Sequence, residues 1–397
     1  MLRSNWFVAG VAASALGLVA FSGCSSDPDP VEPPIDQTGK QPPAPPANAG
    51  PGDGDGVVLA ISRLYLGDTD RTGKPDAANG WKNYGFNLDH LISTKASTDL
   101  CKPRAGGLPA SVYPDGNEGI DNSFGKNILG IILGLANDAS QQLNDSILEG
   151  SFTIMLDIDK LGAGRNYNPL TTRLYGGADL GAAPKFDGTD AWPVIPELLN
   201  NKGDITSTKV LFDKSYVTEG TWVSGSSGDL NLALSVAGFT LNLTIGRAVI
   251  AMDLAQGNKS ATNGTIAGII DTEAFIGELQ KVAGAFAEDL CGGSTFESLA
   301  NQLRQASDIM KDGTQNPAVE CDGISIGLGF DMKEVTLGVI APASPEQPNP
   351  CEGTGGAGGG GGAGGNGGAG GNGGAGATGG AGGGGGAGGG IGGAGGA

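Results

Sequence analysis

The sequence predicts an α+β protein that is mainly β. The expected architecture is an antiparallel sheet or sandwich with a few packed helices, flanked by a disordered N-terminal linker and a disordered C-terminal tail. Three observations carry this. Apolar and polar residues alternate over most of residues 210–254, at the period of two that half-buried strands require. Helical periodicity is confined to blocks near residues 127–148 and 271–310, without the strand–helix–strand alternation of a parallel sheet. The two ends are Pro-rich and Gly/Ala-rich with no apolar period, so neither end can bury a core. Residues 57–345 are therefore expected to form one β-rich globular domain, or two smaller ones.

The elements follow in chain order. Residues 57–66 alternate as a strand, and a loop-rich section runs on to residue 125. Ile128, Ile131, Ile132, Leu135, Ala139, Leu143 and Ile147 recur at helical spacing, which predicts one helix over residues 127–148. A glycine in an exposed helix costs about 1 kcal/mol, so Gly130 and Gly134 are expected to mark close packing against a sheet. The period then changes to two at Phe152, Ile154, Leu156 and Ile158, and again at Leu170, Thr172 and Leu174. The strongest strand signal is a meander: Leu230, Leu232, Leu234 and Val236, then Leu241, Leu243 and Ile245, then Ala248, Ile250, Met252 and Leu254. Turns are expected at residues 224–228, 237–238 and 246–247. Asp271 can cap a helix whose apolar side is Phe275, Leu279, Val282, Phe286 and Leu290. Ser294 to Glu297 fits a capping box ahead of Phe296, Leu299, Leu303 and Ala306. A final β ribbon is read through Ile324, Ile326, Leu328 and Phe330, then Val335, Leu337 and Val339. The disordered tail is expected over residues 346–397; residues 353–397 of it are almost wholly Gly and Ala, and glycine motifs there follow from composition alone.

The N-terminus has the three parts of an export signal: Arg3, an apolar run over residues 6–21, and the small residues Ser22 and Gly23. The run is shorter than the about 20 apolar residues a spanning helix needs. Phe21-Ser22-Gly23-Cys24 resembles the lipobox of bacterial lipoproteins, with Phe21 where Leu is usual. That resemblance implies cleavage after residue 23 and acylation of Cys24, and Ser25 favours the outer membrane. Residues 24–56 then read as a lipidated linker, extended at about 3.1 Å per residue where Pro-rich.

The net charge is −19. Such a surface repels phosphate backbones, which disfavours nucleic acid as a partner, and it suits divalent cations. Besides Cys24 there are four cysteines, Cys101, Cys291, Cys321 and Cys351. An even count in an exported chain implies two disulfides, with three possible pairings. Cys291 and Cys321 bracket a predicted helix and are expected to pair, leaving Cys101 with Cys351. No CxxC occurs, so neither a zinc ribbon nor a thioredoxin-like site is supported.

The only histidine, His90, sits beside Asp89, and no nucleophile elbow occurs in the chain. Triad and zinc hydrolysis are therefore not supported. Acid/base work by paired carboxylates, as in glycosidases, stays open but cannot be located among so many carboxylates. Two loops place oxygen ligands at alternate positions before a turn glycine. One carries Asp68, Asp70, Thr72 and Asp76; the other carries Asp115, Asn117 and Asp121. Both resemble the first half of EF-hand and dockerin loops, which implies calcium as a possible cofactor. Both lack the bidentate Glu at the twelfth position, where Asn79 and Lys126 stand.

As a whole the chain resembles proteobacterial lipoproteins with low-complexity Gly/Ala-rich tails, on the lipobox, the tail, and residues 81–89 and 119–125. The resemblance implies a location and no activity. The expected function is a surface lipoprotein binding a ligand, or an envelope or matrix polymer. The alternative is an exported carboxylate hydrolase acting on carbohydrate. A binder should expose aromatics, with Trp81, Tyr84, Trp192 and Trp222 as the candidates.

Overall fold

The computed structural model describes residues 39–343, except 136–137, 226–227, 237–238 and 285–286, together with residues 350–351. The side chains of residues 233–241, and so those of Leu234, Val236 and Leu241, lie outside the description. So do Cys24, Phe286 and the Gly/Ala tail.

The elements are β1 (Val57–Tyr65), α1 (Pro109–Val112), α2 (Leu129–Leu135), α3 (Ala139–Glu149), β2 (Thr153–Ile158), β3 (Tyr167–Gly177), β4 (Ala191–Val194), β5 (Val210–Thr218), β6 (Thr221–Val223), β7 (Gly228–Val236), β8 (Phe239–Leu254), β9 (Ser260–Asp271), α4 (Thr272–Ala283), α5 (Gly293–Gln305) and β10 (Gly323–Ile340). The protein is mainly β, with a few helices, as its patterning predicts.

The pairing closes on itself. β1 pairs with β2, β2 with β3, β3 with β5, β5 with β6, β6 with β8, β8 with β9, β9 with β10, and β10 with β1, all antiparallel. This circuit is an eight-stranded barrel. β7 extends the first part of β8 as a ribbon, and β4 runs parallel to the far part of β10, so the ten-stranded sheet is mixed.

Eight strands enclose a space that side chains can fill, and the alternation supplies them. Leu59 and Ile61 of β1, Ile154, Leu156 and Ile158 of β2, Ile250 and Met252 of β8, and Ile324 to Phe330 at every second position of β10 join one buried cluster. Trp222 lies wholly buried in it, edge-on to Phe212, with its indole N–H donating to Thr172 Oγ1 at 3.2 Å. Each such large side chain contributes about 1.5–3 kcal/mol by leaving water. Phe275 and Leu279 of α4 and Phe296, Leu299 and Leu303 of α5 pack onto the same cluster. Two smaller clusters cover alternate-face residues, one around Trp192 and Tyr175, the other around Phe86 and Tyr216. No helix among the described residues is long and apolar enough to cross a membrane.

Several expectations change. The segment 127–148 is two helices, α2 and α3, preceded by a π-turn at Phe124–Ile128. A Cβ at Gly130 or Gly134 would meet nothing within 4 Å, so these glycines face open space and do not mark sheet packing. The break foreseen at residues 246–247 is a bulge inside continuous β8, with Arg247 at positive φ. The C-terminal ribbon is the single strand β10. The central strand β9 escapes pattern reading, because Thr265 to Ile270 are buried on both faces and do not alternate. Asp271 does cap α4, its Oδ1 accepting from the N–H groups of Glu273 and Ala274. The Ser294 capping box does not form: α5 begins at Gly293, and Glu297 faces Arg304.

The cysteines pair differently from expectation. Cys101 joins Cys321, and Cys291 joins Cys351. Bracketing a helix in sequence is not proximity, since α5 carries the chain about 20 Å away at about 1.5 Å per residue. Cys321 instead returns beside Cys101 through paired backbone, with Lys102 N–H donating to Val319 O and Cys321 N–H to Lys102 O.

Residues 39–56, expected to be linker, are strapped along the barrel. Lys40 N–H donates to Glu118 O, Asn87 N–H to Lys40 O, and Asn168 N–H to Gly50 O. Tyr216 Oη donates to Pro43 O, and Tyr167 Oη to Asp53 Oδ1. Gly39 opens the strap at φ 58°, where a Cβ would stand 2.4 Å from Glu118 O. The strap buries few apolar side chains and is held largely through its backbone, which is why composition misses it.

Candidate functional site

β10 is flanked by two irregularities at one level. On β1, Ser62 is the extra residue between Ile61 and Arg63; on β9, the register slips between Gly264 and Ala261, where Asn263 has positive φ. Bulges bend strands and re-aim side chains. Here they open a groove of about 790 Å³ between β1, β10, α3 and the hairpin at residues 68–75. Its size is that of a small-molecule or oligomer site. Arg63, Lys333, Asp68, Asp331, Asp145 and Gln141 are among its polar lining.

The walls are fixed locally. Asn144 of α3 completes the edge of β1: Leu64 N–H donates to its Oδ1, and its Nδ2 donates to Leu64 O, both at 2.9 Å. Gly73 lies against the Arg63 guanidinium at φ 84°, so closely that a Cβ would stand 1.7 Å from Nη2. Arg63 is thereby held over the Tyr65 ring at 5.3 Å, Tyr65 stacks on Tyr84 at 5.8 Å and 14°, and Tyr84 carries Arg71 at 4.9 Å. Cations over aromatic faces are attracted by the ring quadrupole, so this is a column of two rings closed by two guanidinium groups. Tyr65 Oη donates to Asp331 Oδ2 at 2.7 Å. Burial, then Asp331, pushes the Tyr65 phenol well up, and burial pushes Tyr84 up to about 12. On the opposite wall Lys333 lies 5.7 Å from the Phe186 ring.

The predicted loop ligands do not converge. Asp70 Oδ1 accepts from the Thr72 hydroxyl, the Thr72 N–H and the Lys74 N–H at 2.6, 2.8 and 3.0 Å. Those bonds, the Thr72 hydroxyl first, hold Asp70 below its ordinary pKa. Asp76 Oδ1 accepts from Asn79, and Asp68 lines the groove. In the second loop Asn117 donates to Asn83, while Asp115 Oδ2 accepts from Ser93 N–H at 2.5 Å and Asp121 Oδ2 from Leu88 N–H at 2.6 Å. Among the described residues no three His, Cys, Asp or Glu side chains are placed to hold a metal ion. The alternate oxygens serve turns and backbone instead.

Asp115 and Asp121 do enter an assembly that their spacing does not reveal. With Asp89 and Asp308 they form a quartet of enclosed carboxyls away from the groove. Burial, and then the neighbouring carboxylates, pushes Asp115 up to about 8 and Asp121 well above the carboxylate range. Burial raises Asp89 and pushes Asp308 up to about 7, although Ser325 donates to Asp308 from both its N–H and its hydroxyl. Lys126, whose Nζ donates to Pro114 O, faces Asp115 and Asp308, and His90 lies near Asp89.

His90 is exposed at φ 63°, with Nδ1 3.4 Å from Gln41 Nε2. Trp81, Tyr84, Trp192 and Trp222 are all buried, so none is an exposed binding aromatic. The residues that sequence reading misses are Arg63, Arg71, Asp331, Lys333 and Lys40. Arg63, Asp331 and Lys333 stand within strand patterns, and no periodic signal separates them from solvent-facing charges.

Comparison with protein-family models, with curated proteins and with solved structures returned no match, so no family assignment constrains the chemistry of the groove.

Proposed function

We propose that the chain is an exported lipoprotein, anchored through Cys24 at the outer membrane, whose barrel binds a polar, polyhydroxylated envelope or matrix polymer. The observation that carries the binding half is the groove. It has charges of both signs, an amide and hydroxyls on walls built from strands and a helix, and its rings are already covered. Such a surface offers hydrogen bonds to hydroxyl groups and no bare aromatic platform. The raised carboxyls, which an acid catalyst would use, are not among the groove's lining residues. This favours binding over the hydrolase reading.

The test is titration of the full exported chain with purified envelope polysaccharide, followed by calorimetry and by assay of new reducing ends. Saturable binding weakened several-fold by Lys333→Gln or Gln141→Ala is expected, without chain cleavage. Binding unchanged in both variants would remove the groove from the reading, and new reducing ends would replace it with the hydrolase. For the anchor, Cys24→Ala is expected to move the protein from washed membranes to the soluble exported fraction; a variant that still pellets refutes lipidation there.

A further inference from the structure

Beyond the groove, at the far end of the Arg63–Tyr65–Tyr84–Arg71 column, the strap covers a second cleft of about 410 Å³. Its lining is Lys40, Arg71, Asn83, Asn117, Glu118 and Ile120, and it shares no residue with the groove. We propose that this cleft binds a small oxyanion, a phosphate or carboxylate group, between Lys40 and Arg71.

The argument starts from two cations that face each other. Arg71 is anchored from behind: Nη1 donates to Gly264 O and Nη2 to Thr265 Oγ1, each at 3.0 Å, and its guanidinium lies over the Tyr84 ring. A guanidinium carries five N–H donors in a fixed fork, so these two bonds leave donors for the cleft. Lys40 is delivered by the strap, its own N–H and C=O both bonded, and among the described residues its Nζ reaches Asn83 O, at 3.5 Å. Burial, and then Arg71 itself, lowers the Lys40 pKa. Among the described residues neither cation has a carboxylate oxygen within 4 Å. In a chain with 42 acidic and 23 basic side chains, counter-charges are plentiful. Glu118 acts on Lys40, and Asp331 and Asp253 on Arg71, only at longer range. Two half-buried cations without a direct ion pair form a prepared anion site, since a bound oxyanion recovers attraction that burial otherwise wastes. Asn83 and Asn117 add amides at the rim, joined by an Asn117 Nδ2 donation to Asn83 Oδ1 at 2.7 Å. Glu118, exposed on the rim, opposes an anion and sets its affinity.

The test is thermal melting and calorimetry of the full chain with sodium phosphate and, separately, sodium glucuronate, each balanced to constant ionic strength with chloride. A saturable rise in Tm with either probe is expected, the stronger naming the source of the oxyanion. Lys40→Gln is expected to weaken binding roughly ten- to a hundredfold, the worth of one charge-assisted bond, with Lys40→Arg restoring it. Glu118→Gln is expected to tighten it. No response to either probe overturns the proposal. So does equal binding by wild type and Lys40→Gln, or weaker binding in Glu118→Gln. Lys40 stands on the strap outside the barrel, so its replacement leaves the core intact, and chloride melting of each variant checks this.

Discussion

Asp115→Asn is predicted to stabilise the domain at pH 8 and to leave it nearly unchanged near pH 4.5. The carboxyl sits among Asp89, Asp121 and Asp308, and burial first, then Asp89 and Asp308, pushes it up to about 8 from an ordinary 3.8. The unfolded chain releases this proton near pH 4, whereas the folded chain keeps it to about pH 8. Between those values the folded state binds more protons, so stability falls as pH rises, by about 1.4 kcal/mol per unit for one such group. The whole window sets a ceiling of about 6 kcal/mol. The quartet shares its protons, and Lys126 lowers the cost of charging it, so a net loss of about 2–4 kcal/mol is expected in wild type. The amide keeps an oxygen for the Ser93 N–H and cannot ionise. Urea unfolding followed by Trp fluorescence at pH 4.5, 6 and 8 measures it. Starting at pH 4.5 avoids the acid side, where Asp70 and Glu273, held down by Thr72 and Arg304, lose their contribution. Wild-type stability that is flat or rising to pH 8, or a variant curve parallel to wild type, refutes the reasoning.

Three further outcomes are expected. Cys101→Ser with Cys321→Ser opens a crosslink spanning 220 residues and should cost about 2–5 kcal/mol; non-reducing peptide mapping should find Cys101 joined to Cys321, and a Cys291–Cys321 peptide would contradict the fold. Millimolar calcium against chelator should leave Tm unchanged, since Asp70 is already satisfied by three donors; a calcium-dependent rise abolished by Asp70→Ala would restore the loop as a metal site. Asn144→Ala strips both partners from the Leu64 backbone and should lower stability by about 2–4 kcal/mol in chemical unfolding; a loss under 1 kcal/mol would show that water replaces the amide.

What could be read in advance was local. The alternation at Leu230 and Leu232 and at Ala248 to Leu254, and the Asp271 cap, depend on neighbours in sequence, and they appear where the pattern puts them. Closure did not show, because an open sheet and a barrel differ only in the long-range pairs β1–β10 and β3–β5. The Cys101–Cys321 bridge depends on the same kind of distant return. The candidate site was less legible still. Arg63, Asp331 and Lys333 become neighbours through bulges on either side of one strand, and a bulge is one residue of slippage that leaves no periodic trace. The spacing of Asp115 and Asp121 marks two carboxylates, but burial, which spacing does not show, makes them proton holders.

The docked strap also fixes a height. If Cys24 carries lipid, the span to the barrel is residues 25–38, a length that in a Pro-rich chain corresponds to roughly 45 Å at about 3.1 Å per residue. Freed from the barrel, residues 39–56 would add roughly 55 Å more. With that anchor, the hydrogen bonds of Lys40, Pro43, Gly50 and Asp53 would act as a latch on standoff distance, and a solute gripped by Lys40 would hold it shut. The domain's clearance from the lipid would then follow the local supply of that solute.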